Sequence, residues 1–416
     1  ILQITPESLE SLLMNRSNDI VRLFGDLRFI VIDEIHTLTG TDRGNQIICQ
    51  LVRLARLIGR VPRRIGLSAT IGDARLAADW LGGGTGVETV VPKIEESVTR
   101  WRLGMEHFFI QGENFDQSHD FADGNPTGGA IVTENAGDIS AKPDKTETAA
   151  NDTSSDGNSS GRVEIDPGYE YIYDCVKGKK AIIFSNSREE TEYVTATMRQ
   201  IADNRGDRDN FLIHHGNLSA SIRATVTMEL GIDIGRLERI VQNDAPNSVS
   251  SFLQRLGRSG RRGTPPEMMM VFREENPLPN APLPQLIPWS FLRAIAIVQL
   301  YIEERFIEPP VVKKMPFSLA FQQTLSTLAS SGELTPKRLA ERILSLPPFA
   351  EITKDDYKTL LVGMLQNDFI ELTEEKGLIV GLKGERLVNS FKFYAVFKDS
   401  EDYTVRCESD EIGTIT

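Results

Sequence analysis

Cysteine is nearly absent: the three in 416 residues, Cys49, Cys175 and Cys407, stand far apart and in no metal-ligand spacing. That leaves no disulfide framework and no thiolate cluster for a structural metal, and it points to a reducing, cytoplasmic setting. The five histidines, His36, His107, His119, His214 and His215, show no metal spacing either. No stretch reaches the roughly 18 uninterrupted apolar residues that would cross a membrane. The N-terminus lacks the basic segment and apolar core of a signal peptide. The chain opens on Ile1, close to motif material, and reads as a fragment.

Positive charge is in deficit, with a net charge of −13, but the deficit is local. Between Gln111 and Pro167 stand twelve acids and only three bases, Lys142, Lys145 and Arg162. That segment carries −9 of the total, so the remainder is near neutral and global charge excludes no partner. Rich in Gly, Ser, Thr and Asn, the segment cannot bury enough apolar surface to offset its ordering entropy, and it reads as a disordered acidic insertion.

Length alone suggests two to four domains. From Ile1 to Ile110, strand-like and helical patterns alternate: Phe29 to Ile32, a helix about Gln46 to Ile58, Arg64 to Leu67, and a helix about Asp73 to Leu81. Such βαβα order implies a parallel sheet. A second α/β unit follows the insertion, with strands at Lys180 to Phe184, Phe211 to His214 and Arg239 to Gln242. A Pro-rich linker, 276–288, then leads to four helices and an apolar-polar alternation from Phe369 to Leu382; three helices followed by such a hairpin are the pattern of a winged helix. Phe391 to Phe397, Tyr403 to Arg406 and Glu411 to Ile415 read as strands. The expected division is 1–110, 111–167, 168–275, 276–288, 289–384 and 385–416.

The most informative residues are Val31-Ile32-Asp33-Glu34-Ile35-His36. Phe29 to Ile32 reads as a buried parallel strand, and ligands of open α/β sheets bind at the carboxyl ends of strands. Asp33 and Glu34 would therefore be delivered there, one fit to hold Mg²⁺ and the other to activate water. By itself the pair could equally cap a helix. Ser68-Ala69-Thr70 follows the next strand; its small hydroxyls can sense the carboxylates or simply form a strand-to-helix turn.

Gln254-Arg255-Leu256-Gly257-Arg258-Ser259-Gly260-Arg261-Arg262 sets arginines at three-residue spacing, as if on one helix face. Guanidinium groups accelerate phosphoryl transfer, although a solvated or nucleic-acid-binding patch would look the same. Glu229 to Gly235 contains Gly231, Asp233 and a tight turn, with Thr225 just upstream. Thr5-Pro6-Glu7 begins a capped helix whose N-terminus suits a phosphate.

In this order the strings resemble the motifs of superfamily 2 helicases: TPE, DEIH, SAT, IIFSNS, ELGIDIG and QRLGRSGRR would be motifs Ib to VI. Within that superfamily they look like the large helicase-related (Lhr) proteins. The resemblance implies two RecA-like lobes, the first truncated at its N-terminus, then a winged helix and the start of a β-rich domain. It implies ATP and Mg²⁺ as cofactors and 3′ to 5′ movement on single-stranded or partly duplex DNA. Asp33 would bind Mg²⁺ and Glu34 activate water. Ser68, Ala69, Thr70 and His36 would couple hydrolysis to strand binding. Gln254, Gly231 and Asp233 would contact the nucleotide, with Arg258 and Arg261 as arginine fingers. Thr5, Pro6, Glu7, Ser185 and Thr225 would line the nucleic-acid groove.

Two departures stand out. G-x-x-x-x-G-K-[ST], the loop that cradles the β/γ-phosphates, occurs nowhere in the sequence, and its place in the family would be before Ile1. His214-His215-Gly216 is followed almost at once by Ala224-Thr225, where the family has a helix and a strand. The chain by itself is therefore expected to be inactive. An RNA helicase of the DEAD/DEAH group and a non-catalytic winged-helix DNA-binding module are the rival readings.

Overall fold

The computed structural model describes residues 1–92, 100–110, 130–133, 166–214, 237–260, 265–278, 280–312, 315–396, 403–407 and 410–415. They fall into two compact units, Ile1–Glu95 with Ile307–Asp402, and Glu96–Phe306 with Tyr403–Thr416.

In the first unit, helix α1 (Pro6–Asn15) starts where Thr5 accepts a hydrogen bond from the Ser8 amide, and Pro6 sits at its first position. After α2 (Ile20–Phe24) comes strand β1 (Phe29–Ile32), then α3 (Asp42–Ile58), capped by Thr41 and closed by Gly59 at φ +69°. Strand β2 (Arg63–Gly66) runs parallel to β1 with Phe29 opposite Arg63 and Ile32 opposite Gly66. Helix α4 (Ala74–Gly82) begins at Asp73, whose carboxylate takes the amides of Arg75 and Leu76. Ile32, Ile47, Leu51, Leu54, Ala77 and Leu81 pack with Leu9, Leu13, Ile20 and Phe24 into one core.

The expected burial of β1 holds on one face only. Phe29 (55%), Val31 (57%), Ile65 (41%) and Leu67 (48%) are exposed, because among the described residues this sheet has two strands and one packed face.

The second unit is built on a six-stranded sheet formed by β3 (Arg102–Ile110), β4 (Ala130–Thr133), β5 (Ala181–Phe184), β6 (Phe211–His214), β7 (Arg239–Asn243) and β8 (Glu267–Glu275). Their order is β3-β8-β7-β5-β4-β6. Helix α5 (Pro167–Val176) precedes β5, α6 (Arg188–Asn204) follows it, and α7 (Val249–Leu256) lies between β7 and β8. All four β5 residues are buried, as befits a strand inside the sheet, parallel to β7 and antiparallel to β4.

Two expectations change here. Arg102 to Ile110, assigned with 1–110 to the first lobe, pairs in parallel along its whole length with β8 in the second sheet. Ala130 to Thr133, inside the stretch 111–167 expected to be disordered, is a strand antiparallel to both β5 and β6. The rest of the insertion, 111–129 and 134–165, lies outside the described residues. Its end is ordered: Asp166 caps α5 and pairs with Arg273 at 2.8 Å.

Helix α8 (Trp289–Glu304), expected to open the 289–384 domain, belongs to the second unit, where Phe291 meets Phe272 edge-on at 5.3 Å between ring centroids. The chain then returns to the first unit as α9 (Phe317–Ser331), α10 (Pro336–Leu344), α11 (Lys354–Gln366), the hairpin β9 (Ile370–Leu372) and β10 (Leu378–Val380), and α12 (Leu382–Val388). Leu334 bridges to Leu378 beside the hairpin.

This returning part shares a core with α1 and α3: Met14, Cys49 and Val52 join Leu319, Leu325, Leu339, Phe349 and Tyr357. Full burial of each such large side chain contributes about 1.5–3 kcal/mol. Polar staples add to it, since Arg56 reaches the Ser345 hydroxyl at 2.9 Å and Gln46 the Tyr394 carbonyl at 3.0 Å. Phe391–Tyr394 is a 3-10 turn rather than the expected strand, because Phe393 turns into the core. Strands β11 (Tyr403–Cys407) and β12 (Asp410–Ile415) form a hairpin, as the alternation suggests.

Candidate functional site

The parallel register of β1 and β2 brings the DEIH and SAT strings side by side. The Leu67 amide donates to Ile32 O at 2.9 Å, and the Ile35 amide donates to Leu67 O at 3.0 Å. Asp33 is exposed just past β1, and its Oδ1 accepts the Glu34 amide at 2.9 Å. Glu34 sits at φ +50°, in the left-handed region that side chains other than glycine rarely adopt. Such local strain, of the order of 1 kcal/mol or more, gathers at functional sites.

That backbone turn brings the Glu34 carboxylate to 3.4 Å from His36 Nδ1. The same nitrogen lies 2.7 Å from Ser68 Oγ, and Ser68 donates its hydroxyl proton to Thr70 O at 2.9 Å. Ser68 Oγ is thus an acceptor for an Nδ1–H tautomer of His36. Burial lowers the His36 pKa below its ordinary value, and the nearby Asp33 charge offsets part of that effect. Burial thus favours the neutral imidazole. Thr70 is buried and Ala69 exposed. A chain of contacts runs from the water-activating candidate to the SAT loop: Glu34, His36, Ser68, Thr70.

Two glycines hold the returning chain against these loops. A Cβ on Gly40, after DEIH, would come within 2.4 Å of Val311 O, and one on Gly72, after SAT, within 2.4 Å of Ile307 O.

At the start of α1, Thr5 is exposed but Glu7 is engaged, with Arg43 Nε 2.9 Å from its Oε1. The Pro6 carbonyl accepts from Gln50 at 2.9 Å. Of the Thr5, Pro6 and Glu7 expectation, Thr5 and the helix N-terminus remain open to a ligand. Glu7 instead pairs with Arg43, which follows the DEIH string in the sequence.

In the second unit Ser185 is fully buried, so its hydroxyl cannot reach a phosphate; the core extends one residue past the end of β5. The turn that follows presents Asn186 and Ser187 instead, and Ser187 caps α6. Gln254 is half-buried and donates to Ser250 Oγ at 3.1 Å.

Arg255 and Arg258 do not share one helix face. Helix α7 ends at Leu256, Gly257 closes it, and Arg258 lies half-buried in the turn beyond. Arg255 points inward and is 2% exposed. Arg261, Gly231, Asp233 and Thr225 lie outside the described residues.

Asp33, exposed and at a strand end, has the donor chemistry and access that a divalent cation needs. Among the described residues no cluster of three or more His, Cys, Asp or Glu could hold a metal, and no helix is long and apolar enough to cross a membrane.

Comparison with known proteins matches this geometry. The DEAD/DEAH box helicase model matches residues 1–77, and the helicase conserved C-terminal domain model matches residues 168–263. The ATP-dependent helicase Lhr-Core of Saccharolobus solfataricus is 26% identical over 423 residues, covering 93% of this chain and 41% of that protein. The Lhr helicase/uracil glycosylase of Escherichia coli K12 is 27% identical over 307 residues, covering 63% and 18%. The chain thus spans less than half the length of these relatives. Among solved structures, the Mycobacterium smegmatis helicase Lhr bound to single-stranded DNA and AMP-PNP has the same fold, with a TM-score of 0.68 at 21% identity, over 98% of this chain and 47% of that one. Two RecA-like regions bearing the helicase strings in order, two matching helicase family models and the Lhr relatives together support a superfamily 2 helicase of the Lhr type.

Proposed function

We propose that the chain is part of an ATP-dependent DNA helicase that moves 3′ to 5′ on single-stranded DNA and couples hydrolysis to strand separation. The observation that carries this reading is the contact chain from Glu34 through His36 to Ser68. It joins a carboxylate placed to activate water to the loop after the neighbouring strand. Asp33 would hold Mg²⁺, which screens the phosphate charge when bound. Glu34 takes the proton of the attacking water, while His36, Ser68, Ala69 and Thr70 carry the change in its surroundings toward the DNA face. Gln254, Gly231 and Asp233 contact the nucleotide, and Arg258 and Arg261 stabilise charge on the transferring phosphoryl group. Thr5, with Thr225 and the Asn186-Ser187 turn, lies along the DNA backbone.

Relatives named as ATP-dependent helicases support this assignment, as does the single-stranded DNA bound to the Mycobacterium smegmatis Lhr helicase. Helices α9 to α11 with the β9–β10 hairpin have the order of a winged helix. Asp355 and Asp356 on α11, with Glu374 and Glu375 at the hairpin turn, suit a guiding or protein-contact surface better than a phosphate contact.

The test is phosphate release, with single-stranded DNA or RNA added, by the protein joined to a phosphate-cradling loop. Turnover stimulated by DNA, lost in Glu34→Gln with nucleotide binding kept, is the expected result, because the amide keeps the shape and cannot take a proton. Turnover of Glu34→Gln within a few-fold of wild type would remove Glu34 from the base role. Stimulation by RNA alone would favour the RNA-helicase reading. The present chain, without that loop, is expected to release no phosphate.

A further inference from the structure

We infer that Arg255 is a positioning residue that ties the Asn186-Ser187 turn to helix α7, so that a ligand at the turn is felt at the helix bearing Gln254 and leading to Arg258. Sequence spacing presents Arg255 as one more arginine in a basic string. The structure separates it from the others.

Arg255 is buried, with its guanidinium 5.2 Å from the Phe184 ring centroid. Its Nη1 donates to Gln242 Oε1 at 2.6 Å and to Asn186 Oδ1 at 3.3 Å. Enclosing a cation costs several kcal/mol of lost hydration, and an apolar side chain of similar volume would fill the space more cheaply. What the guanidinium adds is its rigid fork of donors. Here its Nη1 joins α7 to Gln242 on β7 and to Asn186 at the exit of β5.

The far end of the link is held as firmly. Asn186 Nδ2 donates to Ala245 O at 2.7 Å, and the Asn186 amide donates to Glu190 Oε2 at 2.8 Å. Glu190 Oε1 in turn accepts from Asn243 Nδ2 at 2.5 Å. The Asn186 amide plane is pinned on both sides, so it cannot shift without moving the guanidinium. On the other side of the link, the Arg258 amide donates to Arg255 O at 3.0 Å. A movement of the turn is therefore passed through Arg255 to the residue proposed as an arginine finger.

This inference rests on the reading of the Asn186-Ser187 turn as part of the DNA face, and its test uses exchange rather than turnover. Amide hydrogen exchange of the chain is measured with and without a single-stranded oligonucleotide, for wild type, Arg255→Lys and Arg255→Met. In wild type the DNA should slow exchange about tenfold both at the turn and in α7, the size of a modest local stabilisation. In Arg255→Lys the turn should respond as before while α7 changes less than about twofold. If Arg255→Lys does not fold, Arg255→Met, which keeps the bulk without the donors, should show the same loss in α7 while the turn still responds.

An α7 response equal to wild type in a folded variant overturns the inference. So does a wild-type turn that responds while α7 does not. A wild type in which neither segment responds overturns the DNA-face reading and the inference with it. Ordinary coupling here, with no ATP hydrolysis by the protein joined to a phosphate-cradling loop, would refute the enzymatic proposal and leave the inference standing.

Discussion

His36 Nδ1 lies 2.7 Å from Ser68 Oγ, across the gap between the carboxyl ends of two parallel strands. One hydrogen bond thus connects the acidic pair to the SAT loop. Ser68→Ala removes the acceptor and leaves Glu34 in place. ATP turnover should fall by no more than about fivefold, as the loss of one hydrogen bond near 1 kcal/mol implies. Strand separation, assayed on a tailed duplex, should fall by a clearly larger factor. Equal losses of both would show that Ser68 serves the fold alone.

Arg258→Ala and Arg261→Ala should each lower DNA-stimulated turnover by about 10³-fold, the order found for arginine fingers. Affinity for single-stranded DNA, followed by fluorescence anisotropy, should change little. A large loss of DNA binding with normal basal hydrolysis would assign these residues to the nucleic-acid backbone.

The two units should answer pH in opposite ways. Glu10 on α1 is fully buried; burial raises its pKa, but Arg53 at 2.5 Å and hydrogen bonds from Ser326 and Gln50 outweigh this and hold it below the ordinary value. Its contribution to the first unit is present above the unfolded carboxylate value and is lost as pH falls through the folded one. Glu190 in the second unit is pushed up to about 7 by burial, with the Asp244 charge adding to the effect and the Asn186 amide opposing it. The folded second unit holds that proton where the unfolded chain has released it, so stability declines as pH rises from about 4.5 to about 7. Thermal melts at a series of pH values should show the opposed trends. Glu190→Gln should flatten the second. Glu10→Gln should cost about 3 kcal/mol or more at pH 7, since it leaves Arg53 without its buried partner.

Removal of the acidic insertion should depend on where the cut falls. Replacement of residues 134–165 by an uncharged Gly-Ser linker of about ten residues should keep the melting temperature within a few degrees and raise DNA affinity at low salt, because a tethered polyanion competes with phosphates for the same cations and salt screens that competition. A deletion of residues 112–166 should lower the melting temperature sharply. It takes away β4 from between β5 and β6 and the Asp166 partner of Arg273. Equal melting temperatures for the two variants would show that β4 contributes nothing to the sheet.

Local pattern made most of the helices and strands legible, since apolar periodicity and caps such as Thr41 and Asp73 are written within a few residues. The acidic pair and the SAT loop beside it are legible for the same reason, whereas Arg258 stands in the turn beyond α7 and not on the helix face that its spacing suggests. What escaped were relations between distant segments. Arg102 to Ile110 finds its partner in Glu267 to Glu275, and no local feature names a parallel neighbour that far along the chain. Ala130 to Thr133 is too short an apolar run to stand out from an acidic stretch. Glu10 looks like the solvent side of an amphipathic helix until α9 covers it with Ser326 and Gln323. Arg255 reads like its neighbours because spacing shows which residues are charged, not which are enclosed.

The division of the first unit between Ile1–Glu95 and Ile307–Asp402 has a consequence for synthesis. Its two halves leave the ribosome with most of the second unit between them, a delay of roughly 10–40 s at about 5–20 residues per second. Through that interval Met14, Cys49 and Val52 wait without Leu319, Leu325 and Phe349, and Glu10 waits without Ser326. The nascent first half is therefore a natural client for a chaperone, and the second unit can fold before the unit that begins the chain.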